Sequence, residues 1–290
     1  MNKKPLIIDT DFTKDDIIAI KLLADSDKYD IKAITCYGEW FVETVQLRNS
    51  MGLDCPVCWG AMKPLFRPEI SENVYGNTSP DITEKVRIEE KDEQYPWDTI
   101  YNAALEADGE LEIVTLGPVT NIALTLLRYP QIKPMIKKIF CFAGSGYSGN
   151  VAPYSEYNAY ADPDALKIVF DSGIDVVMCG LDAVDECVLS TDEADEIRAE
   201  NPQIESFLEY ILCEREKKVS APSVAAVCCY MNQNLVPIKD FYVAVETKSR
   251  LTMGQTVVDR LGKYKKTPNI KVVVASNKTL FVNSLKNITI

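Results

Sequence analysis

Leu6-Ile7-Ile8-Asp9-Thr10-Asp11-Phe12-Thr13-Lys14-Asp15-Asp16-Ile17-Ile18-Ala19-Ile20 sets the reading of the whole chain. The opening apolar triplet predicts a short buried strand. Ile17, Ile18, Ile20, Leu22 and Leu23 then suit a buried helix. Between the two stand four carboxylates within eight residues. Ligands of an open α/β sheet gather outside the carboxyl ends of its strands, which is where this cluster falls. Helix capping and the helix dipole explain one or two of the four, Asp15 and Asp16. They do not explain Asp9 and Asp11, which strand alternation directs to one side. Close anions repel unless a cation or raised pKa values relieve them. The cluster therefore reads as a divalent-cation site, and oxygen donors favour calcium or magnesium over zinc.

Working outward, strands predicted over 31–36, 113–116, 139–143 and 176–178 alternate with helices over 41–51, 120–127, 165–170 and 191–199. Regular alternation predicts one α/β domain, residues 1–290, with a central, mostly parallel β-sheet flanked by helices. A helical pattern follows over 204–231, then strands over 241–246, 255–259 and 270–275. Residues 67–94 are rich in charge, Asn, Ser and Pro and predict a long surface excursion, a lid or rim of the site.

The 31 basic and 43 acidic residues give a net charge of −12, a field that repels nucleic acid and anionic membranes. The chain contains no histidine, which excludes a Ser-His-Asp triad, a His-ligated zinc and an imidazole acid. Nine cysteines at irregular spacing read as reduced thiols. Cys55-Pro56-Val57-Cys58 has the form of a redox motif, but two small buried residues around a turn is the better reading. With no apolar run near the ~18 residues of a membrane span and no secretory signal pattern, a cytoplasmic protein is expected.

Asp9-x-Asp11-x-Thr13 resembles the first motif of haloacid-dehalogenase-type phosphatases. The stretch 6–20 also resembles the start of the inosine–uridine-preferring nucleoside hydrolases, with their Asp-x-Asp-x-Gly-x-Asp-Asp signature. Later motifs favour the second family. Pro56-Val57-x-x-Gly60-Ala61-x-x-Pro64-Leu65 looks like its segment before the lid, and Leu116-Gly117-Pro118-Val119-Thr120-Asn121-Ile122-Ala123-Leu124 resembles its Thr-Gly-Pro-Leu-Thr-Asn-Leu-Ala block. Gly149-Asn150, Glu156-Tyr157-Asn158 and Asp162-Pro163 are similar in type and spacing to its ribose-binding stretch. Leu181-Asp182 and the run 245–259 complete a resemblance that extends over about 5–285.

The resemblance implies hydrolysis of the N-glycosidic bond of ribonucleosides to ribose and free base. It implies a calcium ion, with magnesium the less favoured choice, holding the attacking water and the ribose hydroxyls. Asp11 would be metal ligand and general base, Asp16 a bidentate ligand, and the Leu116 carbonyl a third ligand. Asp15, Phe142, Asn150, Glu156 and Asn158 would meet the sugar, with Asp9 supporting from beside the site. A homodimer or homotetramer with a small-molecule nucleoside or ribose as its partner is expected, with no nucleic acid and no membrane. Taken without the resemblance, Asn150, Glu156 and Asn158 could be a polar surface loop capping the next helix.

Four positions depart from the family pattern. The late His-Asp-Pro aligns with Ser220-Ala221-Pro222, Gly-Asn is Gly38-Glu39, the lid's His-Gly is Tyr75-Gly76, and the first motif's glycine is Thr13. Losing a carboxylate from a shell of roughly 6–8 oxygens weakens calcium binding, which Glu39 could offset. Candidate leaving-group acids are Tyr75, Tyr154, Tyr157 and Tyr230, and Trp40 could stack on the base. Alternatives to the hydrolase are a non-hydrolytic nucleoside or ribose binder and, behind it, a phosphatase using the Asp9–Thr13 cluster.

Overall fold

Strand β1 (Lys4–Thr10) is buried on both sides: Leu6 and Ile8 enter one apolar core and Ile7 the other. Such a strand lies in the middle of a sheet covered on both faces. The computed structural model describes residues 3–67, 88–213 and 218–288. The further strands are β2 (Tyr29–Cys36), β3 (Val57–Trp59), β4 (Leu111–Thr115), β5 (Ile136–Phe142), β6 (Val176–Cys179), β7 (Val188–Ser190), β8 (Leu212–Cys213), β9 (Lys218–Ser220), β10 (Ile238–Phe241), β11 (Val243–Val245), β12 (Thr256–Val258) and β13 (Ile270–Val273).

Eight of these form the central sheet in the order β10-β13-β6-β5-β4-β1-β2-β3. The pairings are parallel except for edge strand β10, which runs antiparallel to β13. Helices Asp16–Ala24, Phe41–Ser50, Thr191–Glu200, Pro222–Met231 and Lys278–Asn287 cover one face. Helices Pro96–Glu106, Thr120–Arg128 and Pro163–Phe170 cover the other. From β1 the chain builds outward through β2 and β3. It then returns to pair β4 on the other side of β1. This reversal makes the carboxyl ends of β1 and β4 a topological switch point, where a crevice opens between diverging connections.

The structure bears out the single α/β domain and refines the elements within it. The pattern over 204–231 is two helices, Glu205–Ile211 and Pro222–Met231, separated by β8 and β9. Pro222 starts the second helix, where its missing N–H is no loss, and β9 pairs antiparallel with both β7 and β8. The strand expected over 241–246 divides between β10 in the central sheet and β11, which pairs with β12. Strand β3 and helices Pro96–Glu106 and Lys278–Asn287 add to the elements expected from the sequence, although the buried Pro96, Thr99, Ile100, Ala103 and Ala104 of the first helix repeat at helical spacing.

Most of the 67–94 excursion, with Tyr75 and Gly76, lies outside the described residues. Its return is held by a buried ion pair: Arg48 grips Asp92 through two nitrogens at 3.1 and 2.8 Å and also donates to the Cys55 carbonyl at 2.6 Å. Cys55 and Cys58 are buried free thiols. Among the described residues no helix is long and apolar enough to cross a membrane.

Candidate active site

Asp9 ends its strand inside the protein. One carboxylate oxygen accepts from the Thr35 hydroxyl on β2 and from the Asn121 amide at 2.9 Å. Asn121 also donates to the Cys36 carbonyl at 2.9 Å and accepts from the Ala61 N–H at 2.8 Å, so one buried amide ties β1, β2 and the chain after β3 together. Burial pushes the Asp9 carboxyl up to about 7 against the opposing pull of these two hydrogen bonds. Its second oxygen has no partner among the described residues.

Asp11 stands at the switch point. It is 2% exposed, and neither carboxylate oxygen has a hydrogen-bond partner among the described residues. Burial first, then repulsion from Asp16, Glu156 and Asp15, holds its carboxyl well above the usual range. Gly117, after β4, lets the two chain segments meet: a Cβ there would come within 2.8 Å of the Asp11 nitrogen and 3.0 Å of its side chain. A glycine is needed for that approach.

Asp16 begins its helix with both oxygens engaged. The Thr10 hydroxyl donates at 2.6 Å to one and the Thr13 hydroxyl at 2.9 Å to the other. Burial still raises its pKa, against these bonds and one from the Ser223 side chain. Asp15 precedes the helix without capping it through its side chain. It accepts instead from the Ser223 N–H, at 2.7 Å, on the helix Pro222–Met231. Burial, then Asp16, pushes Asp15 up to about 6. For Asp15 the capping explanation thus gives way to a tertiary one, while Asp16 lies in the first turn of the helix, as the dipole reading expects. Thr13, the departure from glycine, lies between them, its hydroxyl 3.1 Å from Asp15 and 2.9 Å from Asp16.

The polar stretch after β5 folds against this cluster. Asn158 donates both amide hydrogens, to the Leu116 carbonyl at 2.7 Å and the Phe142 carbonyl at 2.9 Å. Glu156 caps the short helix Tyr157–Ala161, accepting from the N–H groups of Asn158, Ala159 and Gly144. It is buried, and burial lifts its pKa to about 7. Capping is real here, but two of the three expected residues, Glu156 and Asn158, are buried beside the acidic cluster. Asn150 is exposed and accepts from the Tyr157 N–H at 2.9 Å. Phe142 is buried, with its carbonyl turned to Asn158.

Asp11, Asp15, Asp16, Leu116, Glu156 and Asn158 therefore share one region. Glu39 is exposed in the connection after β2. Ala221 is fully buried at the start of its helix and supplies no side-chain oxygen, while Ser220 is exposed on β9. Tyr230 is corrected: it is buried in the core, donating to Glu112 at 2.6 Å near the amino-terminal end of β4, away from the carboxyl-end crevice. Tyr154 is half exposed. Ser223, Thr10 and Thr35 were missed as site residues. Hydroxyls carry no charge pattern to flag them, and only Ser223's place just after Pro222 hinted at donors on a helix start.

The sequence profile described as "Inosine-uridine preferring nucleoside hydrolase" matches residues 6–283. The chain belongs to this family of enzymes. It is 32% identical over 285 residues to the non-specific ribonucleoside hydrolase RihC of Escherichia coli O127:H6, covering 94% of each chain. It is likewise 32% identical to the pyrimidine-specific ribonucleoside hydrolase RihA of Escherichia coli strain SMS-3-5, covering 97% of this chain and 96% of that one. The fold superposes on a plant nucleoside hydrolase, PpNRh1, with a TM-score of 0.83 at 24% identity and 98% coverage of both. Proteins of this family use a divalent metal ion.

Among the described residues no three Asp, Glu, Cys or His side chains converge as a ready-made metal cage. The donors do fit a hard cation. Asp11 offers two buried oxygens with no partner among the described residues, Asp16 lies close enough to repel it, and Gly117, next to Leu116, packs against Asp11. A buried, unpaired carboxylate is costly without a counter-charge.

Proposed function

We propose that this protein hydrolyses the N-glycosidic bond of ribonucleosides, releasing ribose and free base, with Asp11 as the general base. The observation that carries this is Asp11: a buried carboxylate whose oxygens have no partner among the described residues, at the switch point of a nucleoside hydrolase fold.

Asp11, Asp16 and the Leu116 carbonyl would hold the cation. Calcium suits them better than magnesium, because it accepts irregular shells that mix carboxylates and main-chain oxygens. When bound, such an ion makes a nearby water more acidic and orients the substrate's oxygens. Asp11 takes a proton from the water that attacks C1′. Without the ion, burial and repulsion from Asp16, Glu156 and Asp15 hold its pKa high; with a cation bound, that repulsion is offset and Asp11 stays ionised to accept the proton.

The sugar is held by the polar stretch. With both amide hydrogens used on carbonyls, Asn158 presents its Oδ1 to a ribose hydroxyl. Asn150, whose Oδ1 is already bonded to the Tyr157 N–H, presents its amide hydrogens. Asp15 and Glu156 accept from further hydroxyls, and their negative charge stabilises the positive ribose as the glycosidic bond breaks. Steady-state assays with inosine, uridine and p-nitrophenyl riboside, with calcium and with chelator, test this. Turnover that is lost in chelator and in Asp11→Asn supports it. No turnover of any of the three by the calcium-loaded protein refutes it.

A further inference from the structure

Phe12 stands in the left-handed region, with φ of 59°. That angle is an outlier for a bulky side chain, and residues held in it cluster where structure serves function. The Phe12 N–H donates to the Thr10 hydroxyl at 2.9 Å, and the Asp16 N–H donates to the Thr13 carbonyl at 3.0 Å. Between these two bonds the chain turns back on itself and brings Thr13 against Asp16. The Thr13 N–H donates to Oδ2 of Asp16 at 3.3 Å, and its hydroxyl meets Oδ1 at 2.9 Å. The Thr10 hydroxyl adds a bond of 2.6 Å to Oδ2. Both oxygens of Asp16 are thus gripped from one loop, which fixes the plane of the carboxylate. The Thr13 hydroxyl also lies 3.1 Å from Oδ1 of Asp15, so it bridges two adjacent carboxylates that otherwise repel.

The family signature has glycine where this chain has Thr13. Glycine keeps the N–H but brings no hydroxyl. The family's late carboxylate is here Ala221, buried and without a side-chain oxygen. Asp11, close enough to Asp16 to be repelled by it, has two buried oxygens with no partner among the described residues. One position has therefore lost an oxygen donor to the cation, and another has gained a hydrogen bond onto a ligand that remains. Groups that hydrogen-bond to metal ligands orient them, and removing one typically costs ten- to hundred-fold in affinity. We propose that Thr13 is a positioning residue for the cation, its hydroxyl setting the orientation of Asp16 and offsetting the carboxylate missing at Ala221. This rests on the cation-binding part of the reading above and deepens it.

Calorimetric titration of the full chain with calcium at pH 8 is the test. Kd should rise roughly ten- to hundred-fold in Thr13→Val, which keeps the branched shape and loses the hydroxyl. Thr13→Ser, which keeps the hydroxyl, should bind nearly as the wild type does. Thr13→Gly should also bind more weakly, and it carries the test if the valine variant does not fold. Thermal unfolding in chelator identifies a purely structural role: a hydroxyl that only ties the loop lowers Tm when removed and leaves Kd unmoved. That result overturns the proposal, as does a serine variant as weak as the valine one. A wild type that binds no calcium overturns it together with the cation site. A wild type that binds calcium but cleaves no ribonucleoside refutes the hydrolase reading alone, and the Kd of the variants still decides the role of Thr13.

Discussion

Replacing Asp11 with Asn should stabilise the protein in chelator while removing its activity. In the wild type, both Asp11 oxygens are buried without partners among the described residues, and Asp16, Glu156 and Asp15 add repulsion. Each unsatisfied buried polar atom costs about 1–3 kcal/mol, and more when charged. An amide of the same shape keeps some of the unmet hydrogen bonding but loses the charge, which leaves a net gain of about 1–3 kcal/mol. Each kcal/mol moves Tm by about 2–4 °C in domains slightly smaller than this one, so a rise of a few degrees is expected. Thermal unfolding by circular dichroism at pH 8 in chelator measures it. Adding calcium should reverse the order. The wild type gains about 2.7 kcal/mol at a free concentration of a hundred times Kd. The variant, short of its main ligand, gains less. If Asp11→Asn lowers Tm in chelator, Asp11 has a partner there, and the site is not waiting for a cation.

Three further outcomes follow from the same geometry. Asp9 and Glu156 titrate near 7 and Asp15 near 6 in the fold, all above the ordinary carboxylate range. The folded state then binds more protons than the unfolded one between about pH 4 and 7, so cation-free stability should fall as pH rises through that window. Urea midpoints at pH 5 and pH 8 check the sign, and a higher midpoint at pH 8 contradicts it. Ala221→Asp, which places a carboxylate at the start of the helix whose Ser223 N–H already meets Asp15, should tighten calcium binding in calorimetry; an unchanged Kd would show that this position does not face the ion. Arg48→Met strands the buried Asp92 and should cost about 3–5 kcal/mol in urea unfolding, whereas the double change with Asp92→Leu should recover much of that loss.

The acidic cluster, the alternation of strands and helices and the motifs at 116–124 and 150–163 were legible because charge density and hydrophobic period are local properties. They placed β1, β4 and β5, and they brought Asp11, Leu116 and Asn158 to one region. The split of 204–231 was not legible, since a helical period persists across a short strand pair whose partner, β7, lies far back in the chain. Nor was the fate of Tyr230. Its position after the altered motif suggested the site, but the helix turns it toward Glu112.

By itself the sequence determined the fold class, the family pattern and the residue types available for chemistry, including the absence of any imidazole. Only the tertiary structure decided how those residues divide their work. Asp15 and Asp16 are neighbours in the chain, yet one is satisfied by Ser223 from a helix some two hundred residues away and the other by hydroxyls of its own loop. Asp11 has no partner for its oxygens among the described residues. A carboxylate's basicity depends on its burial and on donors that arrive from elsewhere in the chain, and neither is written in the spacing of the motif that contains it.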